Sequence, residues 1–113
     1  NVGLVAMIEV VALMIGEVVQ AYSEVQYHEP RSIVVGDFLR RGAPKSLYRP
    51  GSSTDVLLFQ AGRMAFDADL VRNLSRHDAI SRFSYGFSAP LVETDIGVRA
   101  SIGRAVDNDT DFG

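Results

Sequence analysis

The residues best placed to do chemistry lie in one short segment, Tyr48-Arg49-Pro50-Gly51-Ser52-Ser53-Thr54-Asp55. It is a Pro-Gly turn carrying adjacent hydroxyls and running into an apolar stretch. Glycine permits backbone angles that can hold a serine hydroxyl against the carbonyl of the preceding residue, and such a turn can store strain. The same residues also make an ordinary hairpin turn. Asp55 is either a carboxylate that steadies the turn or a group of the site. The chain has no cysteine, which excludes thiolate nucleophiles, disulfides and cysteine-ligated metal. Its two histidines, His28 and His77, cannot by themselves build a histidine-rich metal centre, and no metal ligands are assigned. His28 falls in a loop and His77 at a helix end, where a surface or capping role competes with a catalytic one.

Arg40, Arg41, Lys45 and Arg49 form a basic cluster beside the turn. It either faces anionic phospholipid headgroups, a peripheral membrane contact, or is simply a solvated face. The whole chain of 113 residues carries 11 basic against 14 acidic residues, a net charge of −3. That balance gives no electrostatic basis for nucleic-acid binding. Hydrophobic residues at 47% and charged residues at 22% fit one globular domain, residues 1–113, and exclude disorder.

The elements that must position the turn follow from patterning. Residues 2–19 are largely apolar and rich in β-branched side chains, with Glu9 and Glu17 interrupting them. The charges and short runs argue against a membrane-spanning helix. Two consecutive buried strands, or one long bent strand, are predicted, with Gly16 at a bulge or close approach. A buried helix is the alternative. Glu9 and Glu17 are expected to face solvent, because an unpaired buried carboxylate is costly. A short strand is predicted at Ile33–Val35, turns between short strands from Gly36 to Thr54, and a buried strand at Asp55–Gln60. A helix is predicted over Asp67–Arg76, with Asp67 as N-cap and arginines in the last turn. One more strand pair is predicted at Leu91–Ile102 and an acidic, frayed tail after it. Met7, Met14 and Met64 read as core filler. The fold class is mainly β, a barrel-like or sandwich-like domain with one short helix.

The segment from Gly42 to Phe59 resembles the C-terminal part of phosphatidylserine decarboxylases, with their kGxExGxFxxGGST motif and a hydrophobic strand ending in Leu-Phe. Gly42 takes the first glycine, Tyr48 the aromatic position, Gly51 a motif glycine, Ser53-Thr54 the Ser-Thr pair and Leu58-Phe59 the strand end. Upstream, Val10 to Val18 is similar to the family's VGAxxVGSI strand at Val10, Ala12, Ile15, Gly16 and Val18. Val11 and Glu17 depart from that strand; Ser46, Pro50 and Ser52 depart from the turn motif. The downstream SRFSYGF and PLVETDIGVRASIG segments carry a weaker likeness.

The resemblance implies a fragment of a pyruvoyl-dependent carboxy-lyase that matures from a zymogen. The serine hydroxyl attacks the preceding carbonyl, and the resulting ester eliminates to leave a pyruvoyl cofactor derived from Ser53. Cleavage between Ser52 and Ser53 divides a β chain ending at Ser52 from an α chain, 53–113, that stays with it. Cleavage before Ser52 is the alternative. The pyruvoyl ketone then forms a Schiff base with the substrate amine and acts as electron sink. The implied reaction is decarboxylation of phosphatidylserine to phosphatidylethanolamine. A free amino acid such as tryptophan as substrate, or a non-catalytic β domain on the same scaffold, are the competing readings. The family's catalytic His and Asp come from a region upstream of the matched segment, and compartment is not legible here.

Overall fold

The computed structural model describes residues 1–12, 15–51, 53–79 and 92–106. Six strands and one helix occur among them: β1 Val5–Val11, β2 Val18–Gln20, β3 Ser46–Tyr48, β4 Ser53–Phe59, β5 Met64–Phe66, α1 Ala68–Leu74 and β6 Gly103–Ala105. The strands pair as three two-stranded sheets, β1 with β4, β2 with β3 and β5 with β6. The chain is mainly β with one short helix, as expected, and the described strands form no closed barrel. It divides into two compact units, Ala6–Leu57 on one side and Asn1–Val5 with Leu58–Gly113 on the other.

In the Ala6–Leu57 unit, Gly16 does separate two strands. β2 and β3 are antiparallel, with Val18 opposite Tyr48, Val19 opposite Leu47 and Gln20 opposite Ser46. The pairing is prolonged at both ends. Ala21 N–H donates to the Lys45 carbonyl at 2.9 Å, and Arg49 N–H to the Glu17 carbonyl at 2.9 Å. Between the two strands the chain folds around Tyr22, which is 0% exposed and is the sole buried hydrophobic side chain among the described residues. Tyr22 and Arg31 exchange backbone hydrogen bonds of 3.1 and 2.9 Å, closing the loop. The Tyr22 hydroxyl accepts from Arg40 N–H at 3.1 Å, and the Arg31 guanidinium lies 4.9 Å from the ring centroid. The cation over the aromatic face adds a favourable electrostatic contact to this closure.

Ile33–Val35 is not a strand. The Asp37 carboxylate accepts from Val34 N–H at 2.9 Å, and Asp37 N–H donates to the Val34 carbonyl at 3.1 Å. These local bonds take the groups a strand partner would need.

β1 and β4 are strands, but the expected burial of both is corrected: Val5, Ile8 and Val10 on β1 and Val56, Leu57 and Leu58 on β4 are each at least 40% exposed. Consecutive apolar residues in a strand point to alternate faces, so this ladder needs cover on both sides. Met7, read as core filler, is exposed on β1 for the same reason. Met14 lies outside the described residues.

In the other unit, Gln60 N–H donates to the Leu4 carbonyl at 2.9 Å, setting the end of β4 beside the start of β1. The two strands therefore run in opposite directions. Phe59 and Phe66 meet edge to face, with centroids 5.9 Å apart. β5 and β6 are antiparallel, with Phe66 opposite Gly103. A Cβ at Gly103 would sit 2.5 Å from the Ala65 carbonyl oxygen, backbone that cannot swing aside, so glycine is required there.

α1 falls inside the predicted helix and ends earlier. Asp67 holds the N-cap position with extended backbone but makes no side-chain capping bond. The helix ends at Leu74, whose carbonyl accepts from Val92 N–H at 3.0 Å. Arg72, not Arg76, is the basic residue of its last turn. The predicted strand pair at Leu91–Ile102 is corrected: its described residues are not strand, and β6 begins at Gly103. Leu91, the SRFSYGF segment and the acidic tail lie outside the described residues.

Candidate active site

The turn is built by what precedes it. β3 ends at Tyr48, and the Arg49 N–H bond to Glu17 carries the β2–β3 pairing one step further. Pro50 then fixes its own φ and offers no donor. Gly51 follows with φ +140°, a value open to glycine and strained for any side chain. A Cβ at Gly51 would sit 2.9 Å from Gly16 Cα and 3.1 Å from Gly16 N. A Cβ at Gly16 would lie 3.0 Å from Val11 Cβ. The two glycines, one from each motif, thus face each other backbone to backbone. Gly16 is itself fixed by its N–H, which donates to the Ala12 carbonyl at 3.1 Å.

Ser53 is the first residue of β4 and is exposed, as is Thr54. Ser52, and with it the carbonyl expected to be attacked, lies outside the described residues. Asp55 is two positions beyond Ser53, so both side chains leave the same face of β4. The Tyr48 hydroxyl donates to Asp55 Oδ1, joining the strand before the turn to the strand after it. This bond, with desolvation and the nearby charge of Glu9, raises the Tyr48 phenol well above its ordinary range. Tyr48 is therefore a protonated donor throughout physiological pH.

A second polar group backs the same strands. Glu9 on β1 accepts from Lys45 Nζ at 2.7 Å, from Ser46 Oγ at 2.7 Å and from Gln20 Nε2 at 2.9 Å. Lys45 also donates to Ser46 Oγ at 2.9 Å. The Glu9 side chain is only 12% exposed, which corrects the expectation that it faces solvent. The Lys45 and Ser46 bonds hold its carboxyl below the usual glutamate range, against the opposing effect of burial. Glu17 does face solvent, with Arg49 Nε 3.3 Å from its carboxylate. The basic cluster is thereby divided. Lys45 and Arg49 have acidic partners, and Arg40 and Arg41 remain exposed.

The sequence reading placed Gly51, Ser53 and Thr54 together and missed the Tyr48–Asp55 and Glu9–Lys45 pairs. Lys45 is the only lysine in the chain and Glu9 the one charge within β1, a signal that both were spoken for. His28 serves through its backbone, its carbonyl accepting the Ser23 hydroxyl. His77 follows α1 in an exposed position.

Comparison with known proteins bears on this turn. No protein-family model matches the chain. No solved structure matches it either. The phosphatidylserine decarboxylase proenzyme of Chlamydia trachomatis serovar L2 is 35% identical over 102 residues, covering 90% of this chain and 26% of that protein. The proenzyme of the same name from Chlamydia felis is 36% identical over 63 residues, 48% of this chain. That of Chlamydia muridarum is 37% identical over 71 residues, 63% of this chain. The first of these alignments covers nearly all of the chain. With about a quarter of its curated relatives' length, the chain belongs to the phosphatidylserine decarboxylase family.

Proposed function

We propose that this chain supplies the self-cleaving turn of a pyruvoyl-dependent decarboxylase acting on phosphatidylserine. The observation that carries the reading is the backbone contact of Gly16 with Gly51, which brings the two family motifs to one place directly before Ser53. The names of the relatives, proenzymes of phosphatidylserine decarboxylase, support both a maturation step and a phospholipid substrate.

The maturation uses the chain's own atoms. The Ser53 hydroxyl oxygen attacks the Ser52 carbonyl carbon, its proton passes to the leaving nitrogen, and the Ser52–Ser53 C–N bond breaks to leave an ester. Loss of the Ser53 Cα proton expels the Ser52 carboxylate from Cβ. The resulting enamine tautomerises to an imine, and water releases ammonia to leave a pyruvoyl terminus. Gly51 supplies the backbone angle, and β4 pairing fixes the chain beyond the serine. Tyr48 and Asp55 tie the two flanking strands, so that the serine cannot swing away with β4. Once formed, the pyruvoyl group supplies the electron sink for loss of carbon dioxide.

The test is the denaturing intact mass of the whole gene product that contains this chain. Two pieces are expected, the second beginning at position 53 with a blocked terminus. Ser53→Ala should leave one uncut chain and no activity. A cut before position 52 would move the assignment to Ser52. A single uncut parent chain would favour a non-catalytic relative. Carbon dioxide released from tryptophan and not from phosphatidylserine would reassign the substrate.

A further inference from the structure

Residues 33–41 have the build of a membrane-docking finger, and nothing in the maturation chemistry uses them. Val34 and Asp37 close a tight turn with Val35 and Gly36 at its centre, and Gly36 has φ +92° with no atom within 4 Å of a Cβ position. The side-chain polar group of this turn, the Asp37 carboxylate, is turned back onto its own chain. Asp37 Oδ2 accepts from Val34 N–H at 2.9 Å and from Arg31 Nη1 at 2.6 Å. Its carboxylate is held below the usual aspartate range first by the Val34 backbone bond and then by Arg31. Arg31 in turn stacks on the buried Tyr22 ring. What faces outward is apolar: Val35 is 106% exposed, Phe38 82% and Val34 62%. Directly after them come Leu39, Arg40 and Arg41, the two arginines exposed and, among the described residues, without the acidic partners that hold Arg31, Lys45 and Arg49.

This combination matches the chemistry of a bilayer interface. The headgroup region is hydrated, so the remaining backbone groups of the turn stay solvated there while its apolar side chains enter the acyl boundary. Isolated exposed hydrophobics are common, but here three share one turn whose one carboxylate is already paired. Arginines beside an apolar tip complement an anionic surface, which attracts each basic residue near it. We infer that residues 33–41 dock the protein on anionic membranes, with Val34, Val35 and Phe38 entering the interface and Arg40 and Arg41 meeting the phosphates. The inference rests on the phospholipid-substrate reading above, since that substrate resides in a bilayer.

The test is co-sedimentation of the whole gene product with phosphatidylcholine vesicles, with and without phosphatidylglycerol. Val35→Ser with Phe38→Ser should weaken binding on the order of tenfold or more through lost apolar burial. Arg40→Gln with Arg41→Gln should lower binding to phosphatidylglycerol vesicles by roughly tenfold and leave binding to phosphatidylcholine alone unchanged. Undiminished vesicle binding by either variant overturns the proposal. Should the apolar variant fail to fold while the arginine variant still binds, the tip is packed beneath another part of the polypeptide and the proposal falls. The vesicles contain no phosphatidylserine, so docking is read independently of decarboxylation. A parent protein that docks but never cleaves would defeat the functional reading alone.

Discussion

Glu9 and Leu58 invert the usual relation between polarity and burial. Glu9, a carboxylate on β1, is 12% exposed, whereas Leu58 on the paired strand β4 is 55% exposed. The polar cluster of Glu9, Gln20, Lys45 and Ser46 is complete within these residues, with Gln20 from β2, Ser46 from β3 and Lys45 from the position just before β3. The apolar ladder of β1 and β4 is not: apart from Phe59, which packs on Phe66, the β4 apolar side chains are exposed among the described residues. The conformation of the turn is thus specified locally. The strand that follows it has apolar side chains open on both faces among the described residues, in a chain about a quarter the length of its curated relatives.

The comparison breaks most sharply at the glycine contact. Gly51→Val places a side chain at φ +140°, 2.9 Å from the Gly16 backbone, where neither partner can yield. Strain and overlap of this kind cost about 3 kcal/mol or more. Self-cleavage of the whole gene product should fall at least a hundredfold, read as the cut fraction by intact mass over time. Normal cleavage would mean that the two motifs need not touch.

Next in size is Leu58→Ala in the whole gene product. If both faces of the ladder are covered there, the substitution removes a buried side chain and lowers stability by about 2–4 kcal/mol in denaturant unfolding. A loss below about 0.5 kcal/mol would show that β4 stays open to solvent as it is in these residues.

Glu9→Gln tests the polar side. It keeps the shape and loses the charge that Lys45 and Ser46 stabilise, and should cost about 1–2 kcal/mol. The effect has a pH signature. Glu9 is held below its unfolded value of 4.5, so its contribution is present above that pH and is lost as pH falls below it. Melting temperatures of parent and variant should differ at neutral pH and converge on acidification. Parallel curves would assign the loss to packing.

Much of this arrangement is legible in the sequence. The β-branched run, the Pro-Gly turn and the helix near Asp67 follow from local chemistry, and Gly16 stands out as a close-approach position before its partner is known. What escapes is whatever depends on a side chain finding a distant partner. Glu9 could be placed in a strand, but not against Lys45, 36 residues away. Ile33–Val35 has a strand's composition, and only Asp37 reaching back to Val34 makes it a turn. Met64–Phe66 lies between stronger signals and is a strand because Gly103 lets β6 approach it. At the site, the serine, the glycine and the threonine are local and readable. The Tyr48–Asp55 bond is a product of folding.

That bond gives the smallest expected effect and the finest test. Tyr48→Phe removes one hydrogen bond to an exposed carboxylate that water can satisfy, so the stability loss should be about 0.5–1 kcal/mol. The phenol's folded value lies above its ordinary 10.0, so the contribution is fully present below that pH and is lost only as pH rises through the folded value. No change in its effect is therefore expected between neutral pH and pH 9. If the pair only steadies β4, Tyr48→Phe and Asp55→Asn should slow cleavage a few-fold, in proportion to their effect on melting. A much larger loss of cleavage with unchanged melting would mean that the Tyr48 hydroxyl acts on the scissile bond itself. The polar side of the turn would then contribute to the chemistry as well as to the fold.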